Sequence, residues 1–307
     1  MKTCIFADIH LKNKDQFGKQ INFNGLRVEE RSLYKIKRMK EIILQEKPDC
    51  LIIAGDLWDT SQPSEILRAL FFKTIPSLAS KVFYVCGNHD MENLFPSGLS
   101  ESQAFQNFVI IPAKQWSRVG NIDMIGWTRN DSEFISLCRK NTFLVSHRDI
   151  SQMELSYNYI FYGHNHVHKQ EGKFFSIGSL FKDDWAEEGI DHKYMVIEDD
   201  KFEFKTNPDL QIRSFDGICR STDEINKLDA IRFIFKGKAS ALININEKEI
   251  RKNFDTKVFF KYEIEEEKIE IKEENIQRIM NDFLSDKNLN KDELEFGSKM
   301  YQGEALS

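Results

Sequence analysis

Residues 82–90 constrain what this chain can fold into more than any other stretch. The first five, up to Cys86, are β-branched, aromatic or thiol side chains and predict a buried strand. The four that follow, Gly87-Asn88-His89-Asp90, bring an amide, an imidazole and a carboxylate to the end of that strand. A strand inside a hydrophobic core has no use for such an ending, which is typical of an active site at the edge of a sheet.

Four further apolar runs end in the same way. Residues 2–7 precede Asp8 and His10, residues 50–54 precede Asp56 and Asp59, residues 143–145 precede His147, and residues 159–162 precede His164 and His166. Predicted helices over 29–46 and 64–75 separate the first three strands, and this alternation favours a largely parallel sheet. Because the carboxyl ends of parallel strands meet at one edge, we expect the polar side chains to lie together there.

Seven side chains at these strand ends are candidate metal ligands: Asp8, His10, Asp56, Asn88, His147, His164 and His166. Carboxylate, imidazole and amide donors suit Mn²⁺, Fe or Zn²⁺, and the lack of thiolates argues against a structural zinc site. Seven ligands are too many for one ion. Divided around a bridging Asp56, they predict two divalent ions about 3.5–4 Å apart, an arrangement that hydrolyses phosphoesters with a metal-bridging hydroxide.

The ordered motifs of this chain resemble those of the calcineurin-like metallophosphoesterase superfamily. They are Asp8-x-His10, Gly55-Asp56-x-x-Asp59, Gly87-Asn88-His89-Asp90, His147 and Gly163-His164-x-His166, and the resemblance spans residues 3–200. It implies an α/β fold, the αββα sandwich of that superfamily. It also implies that a first metal ion is held by Asp8, His10, Asp56 and His166, and a second by Asp56, Asn88, His147 and His164. Mn²⁺ is the expected ion.

The resemblance makes His89 the general acid or a transition-state donor, oriented by Asp90. Imidazole titrates near working pH, as such a donor must. His89 lying only behind the ligands is the alternative. Asp59 either supports a ligand loop or His89, or is a plain loop carboxylate. We expect His168 to be solvated or to lie behind the ligands, and His192 to be a surface residue.

The expectation about the substrate rests on the charge pattern and on two further motifs. Residues 11–47 carry ten Lys or Arg against five Asp or Glu, on a chain whose net charge of −6 is not that of a dedicated nucleic-acid binder. This basic run suits either a polyanionic substrate or a solvated helix face. Residues 55–64 are similar to the matching run of SbcD-type DNA repair nucleases, and Gly178-Ser179-Leu180 is similar to their Gly-Ser-Pro, from which Leu180 departs. Candidate DNA contacts are Lys12, Lys14, Lys19 and Arg27.

Two domains are predicted: a metallophosphoesterase (nuclease) domain over 1–214, and a small α+β capping and partner-binding domain over 215–307. The layout is closer to that of phage-encoded recombination nuclease subunits than to that of most cellular members. The resemblance implies a DNA exo/endonuclease subunit that works with an SMC-like ATPase of the SbcC type, gripped through the C-terminal region. An apolar helix face over 275–284 either meets that partner or packs on the capping strands. Homodimerisation through helices at 64–75 and 101–108 is expected by analogy.

Two other function classes stay open at this point. A stand-alone phosphatase or cyclic-nucleotide phosphodiesterase would use the same site on small nucleotides without a partner. An inactive adaptor would require a decayed site, whereas all seven ligand types are present. The chain has no signal-peptide h-region, and its five cysteines lack CxxC spacing. We therefore expect reduced thiols and a cytoplasmic location in a prokaryotic or phage-infected cell.

Overall fold

The computed structural model describes residues 1–60, 62–90, 105–208, 212–216, 230–237, 242, 245–252 and 257–264. The strands are β1 (Thr3–Phe6), β2 (Gln20–Phe23), β3 (Leu26–Glu29), β4 (Cys50–Ala54), β5 (Lys81–Val85), β6 (Phe108–Ile111), β7 (Trp116–Val119), β8 (Ile122–Ile125), β9 (Asn141–Ser146), β10 (Tyr157–Tyr162), β11 (Lys169–Glu171), β12 (Phe174–Ser176), β13 (Lys193–Glu198), β14 (Lys201–Thr206), β15 (Ile212–Asp216), β16 (Ala230–Gly237) and β17 (Lys257–Ile264). The helices are α1 (Glu30–Glu46), α2 (Glu65–Thr74), α3 (Asp131–Leu137) and α4 (Glu247–Lys252), with 3-10 helices at Pro76–Leu78 and Trp185–Glu187.

Two six-stranded mixed sheets form the body of the protein. The first has the order β14-β13-β1-β4-β5-β6, in which β1, β4, β5 and β6 are parallel and β13 and β14 are antiparallel to their neighbours. The second has the order β11-β12-β10-β9-β8-β7, with the four central strands parallel and both edge strands antiparallel. The predicted parallel arrangement of the strands before the polar motifs is confirmed.

The two sheets pack face to face. Ile5, Ile52 and Val85 of the first sheet share one buried apolar cluster with Val145 and Phe161 of the second. Side chains alternate along a strand, so the neighbours of these residues point away from the partner sheet and need a second cover.

Helices supply that cover on both outer faces. Leu51 of the first sheet packs with Ile36 of α1 and Phe71 of α2. On the second sheet, Leu144 packs with Phe134 of α3. The resulting order of layers is helix, sheet, sheet, helix, which confirms the predicted αββα sandwich.

The segment before α1 contains the hairpin β2–β3. Asn24 and Gly25 have φ values of +52° and +83°, the conformation of a two-residue turn that matches the twist of paired strands. The register places Asn22 opposite Arg27. The Asn-Gly pair is the sequence signal for such a turn.

A separate three-stranded sheet is formed by β15, β16 and β17. Phe233 and Ile250 belong to its small apolar core. At the start of α4, Asn246 accepts a hydrogen bond from the backbone N–H of Glu249 at 3.3 Å and donates to its carboxylate at 3.3 Å, which caps the helix.

The tertiary contacts divide the chain into two compact units, Met1–Phe235 with Ile245–Tyr262, and Lys236–Asn244 with Glu263–Ser307. The domain boundary after residue 214 stays a prediction. Of the helix predicted over 101–108, only 105–108 are described, and they form a turn and the first residue of β6. The helix predicted over 275–284 lies outside the described residues. In the parts of the chain that the structure describes, no helix has both the length and the apolar character needed to cross a membrane.

Candidate metal centre

The seven candidate ligands lie at the carboxyl ends of five parallel strands. In the first sheet the neighbouring strands β1, β4 and β5 lead into Asp8 and His10, Asp56, and Asn88; in the second, the neighbouring strands β9 and β10 lead into His147 and into His164 and His166. The two sheets deliver their side chains to one end of the sandwich. The expectation that these side chains meet therefore agrees with the geometry.

One group of ligand atoms surrounds His10. Its Nε2 lies 3.2 Å from His166 Nε2 and 4.0 Å from Asp8 Oδ1. The ligand atoms of these three residues all lie within 4.8 Å of one another, a spacing that one ion can span. Asp8 is fixed by the backbone N–H of His164, which donates to both carboxylate oxygens at 3.0 Å.

A second group surrounds His147, whose side chain is fully buried. Its Nε2 lies 3.0 Å from Asp56 Oδ2 and 3.1 Å from Asn88 Oδ1. Asn88 Oδ1 in turn lies 2.9 Å from His164 Nδ1. Asp56 Oδ2 also lies 4.0 Å from His10 Nε2, so this carboxylate stands between the two groups.

The donor set of the second group fits a divalent cation. His147 Nδ1 lies 2.8 Å from the carbonyl oxygen of Ala54 and must carry a proton, because a carbonyl only accepts. Nε2 is therefore the nitrogen that faces the oxygens of Asp56 and Asn88. A nitrogen and two oxygens this close to one another need a proton or a metal ion among them, and a divalent cation can take the place of the proton.

The electrostatics of the buried carboxylates lead to the same conclusion. Burial alone would raise the pKa of Asp56, but the imidazoles around it, His147 first among them, hold that pKa well below its usual range. Burial alone would lower the pKa of His147, but the carboxylates of Asp56 and Asp8 raise it to about 9. The excess of negative charge that binds a proton so firmly here would also attract a divalent cation.

The backbone is strained where it carries the candidate ligands. Asp8, His10 and Asp56 have φ values of +48°, +48° and +44°, a region that residues other than glycine rarely occupy. Gly87 allows a close approach, since a Cβ atom there would lie 2.1 Å from Asp56 Oδ1. The tight packing of the loops around the cluster holds these conformations in place.

His89 lies at the exposed side of the cluster. Its side chain is 45% exposed, and Nε2 lies 4.0 Å from Asp56 Oδ2. Its Nδ1 lies 3.3 Å from the backbone carbonyl oxygen of Asp59. The Asp59 carboxylate lies 3.4 Å from His10 Nδ1, so Asp59 contacts both a candidate ligand and the candidate acid.

Asp90 was expected to orient His89, but its hydrogen bonds are with other residues. Its two oxygens accept from the backbone N–H of Gly87 at 2.9 Å and of Trp58 at 3.3 Å. It thus ties the loop after β5 to the loop after β4. Burial, followed by the nearby Asp56, raises the pKa of Asp90 to about 6. The ring of His89 is instead oriented by the Asp59 carbonyl.

Three buried charges behind the cluster were missed from sequence. Glu187 Oε1 lies 2.5 Å from His166 Nδ1. Lys35, with no exposed side-chain surface, lies 2.7 Å from Asp183 Oδ1. They lie outside the recognisable motifs, and the only sequence signal is an acidic cluster, Asp183-Asp184, shortly before Glu187.

The two remaining histidines lie away from the ligand groups. His168 donates from Nδ1 to the Ser176 carbonyl oxygen at 2.9 Å, and its ring centroid lies 4.2 Å from that of Phe204. The prediction that His192 is a surface residue was wrong: it is 4% exposed and its Nδ1 lies 2.8 Å from Ser179 Oγ. Its partner was invisible because a short polar residue in a loop gives no pattern.

The four candidate DNA contacts lie in different surroundings. Lys14, Lys19 and Arg27 are exposed, whereas Lys12 is 15% exposed and lies 3.9 Å from Asp59 Oδ1, beside the cluster. Part of the basic run is used internally, since Arg31 lies 3.6 Å from Asp15 Oδ1 with no exposed surface. The run therefore offers less positive surface than its composition indicated.

Part of the sequence is similar to that of a known nuclease subunit. The D subunit of the nuclease SbcCD from Staphylococcus epidermidis is 36% identical over 94 residues, which are 29% of this chain and 23% of that protein. The chain thus spans less than a quarter of that relative's length.

Three solved structures are similar to the chain at low identity. An archaeal phosphodiesterase and a dimetal phosphatase from Danio rerio each give a TM-score of 0.40 at 12% identity over 67% of this chain, covering 100% and 95% of those chains. The nuclease MPE of Pseudomonas putida gives 0.30 at 15% identity, over 56% of this chain and 66% of that one.

The family model described as calcineurin-like phosphoesterase matches residues 1–188. This span contains all five polar motifs, the whole of the second sheet and four of the six strands of the first. The chain belongs to the calcineurin-like phosphoesterase family.

Proposed function

We propose that this protein is a metal-dependent phosphodiesterase that acts as the DNA exo/endonuclease subunit of an SbcCD-like repair or recombination complex. One observation supports the proposed hydrolysis: the seven carboxylate, imidazole and amide side chains meet at one place, with Asp56 between the two groups. Asp56 Oδ2 lies 3.0 Å from His147 Nε2 and 4.0 Å from His10 Nε2. The partial match to an SbcCD nuclease subunit supports the choice of substrate.

In this proposal the ligands divide as the resemblance implied. Asp8, His10, Asp56 and His166 would hold one divalent ion, and Asp56, Asn88, His147 and His164 the other. When bound, such ions lower the pKa of water and neutralise charge on phosphoryl oxygens. The residues supply the geometry: the buried carboxylates of Asp8 and Asp56 provide the negative charge, and their strained loops keep the ligands in register before substrate arrives.

His89 is the proposed proton donor to the leaving alkoxide. Its Nδ1 is committed to the Asp59 carbonyl at 3.3 Å, which leaves Nε2 on the exposed side of the cluster as the atom that transfers the proton. Proton donation of this kind contributes about 10²–10⁴-fold in rate.

The DNA backbone is proposed to run past the hairpin β2–β3. Lys19 precedes β2 and Arg27 lies within β3, and both are exposed. The Lys12 ammonium group lies 3.9 Å from the Asp59 carboxylate, beside the ligand cluster, and would meet a phosphate near the scissile bond. Lys14 would add a further contact along the strand.

The proposal includes two protein contacts. The ATPase partner of the SbcC type is assigned to the C-terminal region, and a homodimer contact is assigned to the face of α2. Co-purification with an SbcC-type ATPase tests the partner contact. Gel filtration with light scattering tests the homodimer.

The deciding experiment compares three substrates with Mn²⁺: linear duplex DNA, single-stranded DNA and bis-p-nitrophenyl phosphate, each with and without an SbcC-type ATPase. We expect cleavage of DNA and of the small diester. Hydrolysis of the small diester with no cleavage of any DNA would overturn the nuclease proposal and favour a stand-alone phosphodiesterase or phosphatase. No hydrolysis of any substrate, with no Mn²⁺ bound, would favour the inactive adaptor.

Single variants separate the proposed roles. His89→Ala is expected to retain Mn²⁺ and to lose about 10²–10⁴-fold in turnover. His168→Ala, which removes an imidazole that contacts Ser176 and Phe204, is the matched control and should keep both. Loss of Mn²⁺ in His89→Ala would contradict its role as proton donor.

A further inference from the structure

We propose that Glu187 is a positioning residue for His166, and that it determines how well the first metal ion is held. This inference rests on the metal site proposed above. Glu187 ends the 3-10 helix Trp185–Glu187 and is 3% exposed. It lies outside the five motifs, and its carboxylate reaches a candidate ligand from behind.

Both oxygens of the Glu187 carboxylate are used. Oε1 lies 2.5 Å from His166 Nδ1, and Oε2 accepts from the backbone N–H of Asp183 at 2.7 Å. A buried carboxylate held at both oxygens cannot rotate freely, so it presents a fixed acceptor to the imidazole.

The fixed acceptor selects one form of the His166 ring. Because a carboxylate oxygen accepts here, Nδ1 must carry a proton, and in the neutral ring that binds a metal ion the lone pair is then on Nε2. Nε2 is the nitrogen that lies 3.2 Å from His10 Nε2 at the cluster. Without Glu187, the ring could take the other tautomer or rotate, and either change would remove a lone pair from the site.

A chain of buried contacts sets His166 relative to His10. Asp183, whose N–H binds Glu187, pairs through its carboxylate with Lys35 Nζ at 2.7 Å and 2.8 Å. The same Lys35 ammonium donates to the carbonyl oxygens of Ile9 at 2.8 Å and His10 at 3.0 Å. The backbone of one candidate ligand is therefore linked to the ring of another through two buried ion-pair partners.

The 3-10 helix is also held from its other side. Trp185 lies edge-on to Phe17 and Phe259, with ring centroids 5.1 Å and 5.4 Å away, and Arg232 lies 4.3 Å from its ring. These contacts come from the segment before β2 and from two strands of the three-stranded sheet. They fix the helix that carries Glu187, so the carboxylate has little freedom to follow the ring.

Glu187→Gln tests the proposal. A glutamine has one acceptor oxygen where glutamate has two, so it cannot accept from both His166 and Asp183. We expect MnCl₂ titrations by calorimetry to show two ions in the unaltered protein, and in the variant one unchanged ion and one bound about 10–100-fold more weakly. Electron paramagnetic resonance at limiting Mn²⁺ should change from the signal of a coupled pair to that of a single ion.

Glu188→Gln is the matched control. Glu188 follows Glu187 directly, but its carboxylate binds Ser214 rather than a candidate ligand. It should bind both ions as the unaltered protein does. Equal affinities in Glu187→Gln and the unaltered protein would overturn the inference alone, as would equal weakening in both variants. Failure of the unaltered protein to bind two Mn²⁺ ions would overturn the proposed metal site itself.

A measurement on the unaltered protein covers the case in which Glu187→Gln does not fold, as judged by its thermal unfolding in chelator. With ¹⁵N-histidine label and Zn²⁺ in place of Mn²⁺, the Nδ1–H of His166 should give a proton resonance far downfield, because it donates a short bond to a carboxylate. An unprotonated Nδ1 in that spectrum would overturn the inference.

Discussion

The Nδ1 atom of His147 lies 2.8 Å from the carbonyl oxygen of Ala54, a contact that joins the end of β9 in one sheet to the end of β4 in the other. It sets the ring so that Nε2 faces Asp56 at 3.0 Å. The packing of the two sheets thus determines the tautomer of a candidate ligand, and the chemistry of the site depends on the sandwich staying closed.

Mn²⁺ affinity is expected to rise with pH. The carboxylates of Asp56 and Asp8, against the opposing effect of burial, raise the pKa of His147 to about 9, so a metal ion must displace a proton at neutral pH. The affinity of the ion bound by His147 should therefore increase by up to about tenfold per pH unit below that value and level off above it. Calorimetry in two buffers of different ionisation enthalpy should detect about one released proton per protein.

The metal-free protein should show the opposite trend in stability. A folded-state pKa raised from 6.5 to about 9 contributes stability that is fully present below the unfolded value and is lost as pH rises through the folded one. Thermal unfolding in chelator should therefore show a loss on the order of 3 kcal/mol between these two pH values. His147→Gln, which cannot titrate, is the control; the same slope in that variant would exclude His147 as the source.

Lys35→Met should be strongly destabilising. It leaves the Asp183 carboxylate buried without its partner at 2.7 Å, and removing one member of a buried ion pair costs about 3–5 kcal/mol. Urea unfolding measures this loss. Lys40→Met, an exposed lysine of the same helix, should change stability by less than about 0.5 kcal/mol. Similar losses in both variants would show that the buried pair contributes little.

The sequence was informative where a candidate ligand directly follows its own strand in the chain. Asn88 and His164 could be recognised because an apolar run and its polar ending are adjacent in the chain, and a strand carries its own pattern. The end of the sandwich at which they meet follows from the parallel order of the strands. The fold class and the convergence of the seven side chains were therefore open to prediction.

The sequence did not predict contacts between residues that are far apart in the chain. Lys35 and Asp183 are 148 positions apart, and each alone is an ordinary charged residue of a helix or a loop. Glu187 becomes informative only when its distance to His166 is known. The placement of β13 beside β1 likewise depends on pairing across most of the domain, which periodicity cannot report.

Gly163→Ala tests how closely the loops must approach. A Cβ atom at Gly163 would lie 2.5 Å from the Ala54 carbonyl oxygen and 2.7 Å from His147 Nδ1, too close to both atoms of the contact that orients the ring. The methyl group must displace one or both of these atoms, so we expect Mn²⁺ affinity to fall by at least about tenfold and stability by about 1–3 kcal/mol. Calorimetric titration with MnCl₂ and thermal unfolding in chelator give the two values.

Gly172→Ala separates these effects. Gly172 has a φ of +60° and no neighbouring atom within 4 Å of an added Cβ, so alanine there meets backbone strain of about 1–2 kcal/mol but no steric contact. This variant should lose stability and keep its Mn²⁺ affinity. If Gly163→Ala also kept its affinity while losing stability, the distance between Ala54 and His147 would not control metal binding, and the tautomer of His147 would have to be set by its contacts with the carboxylates.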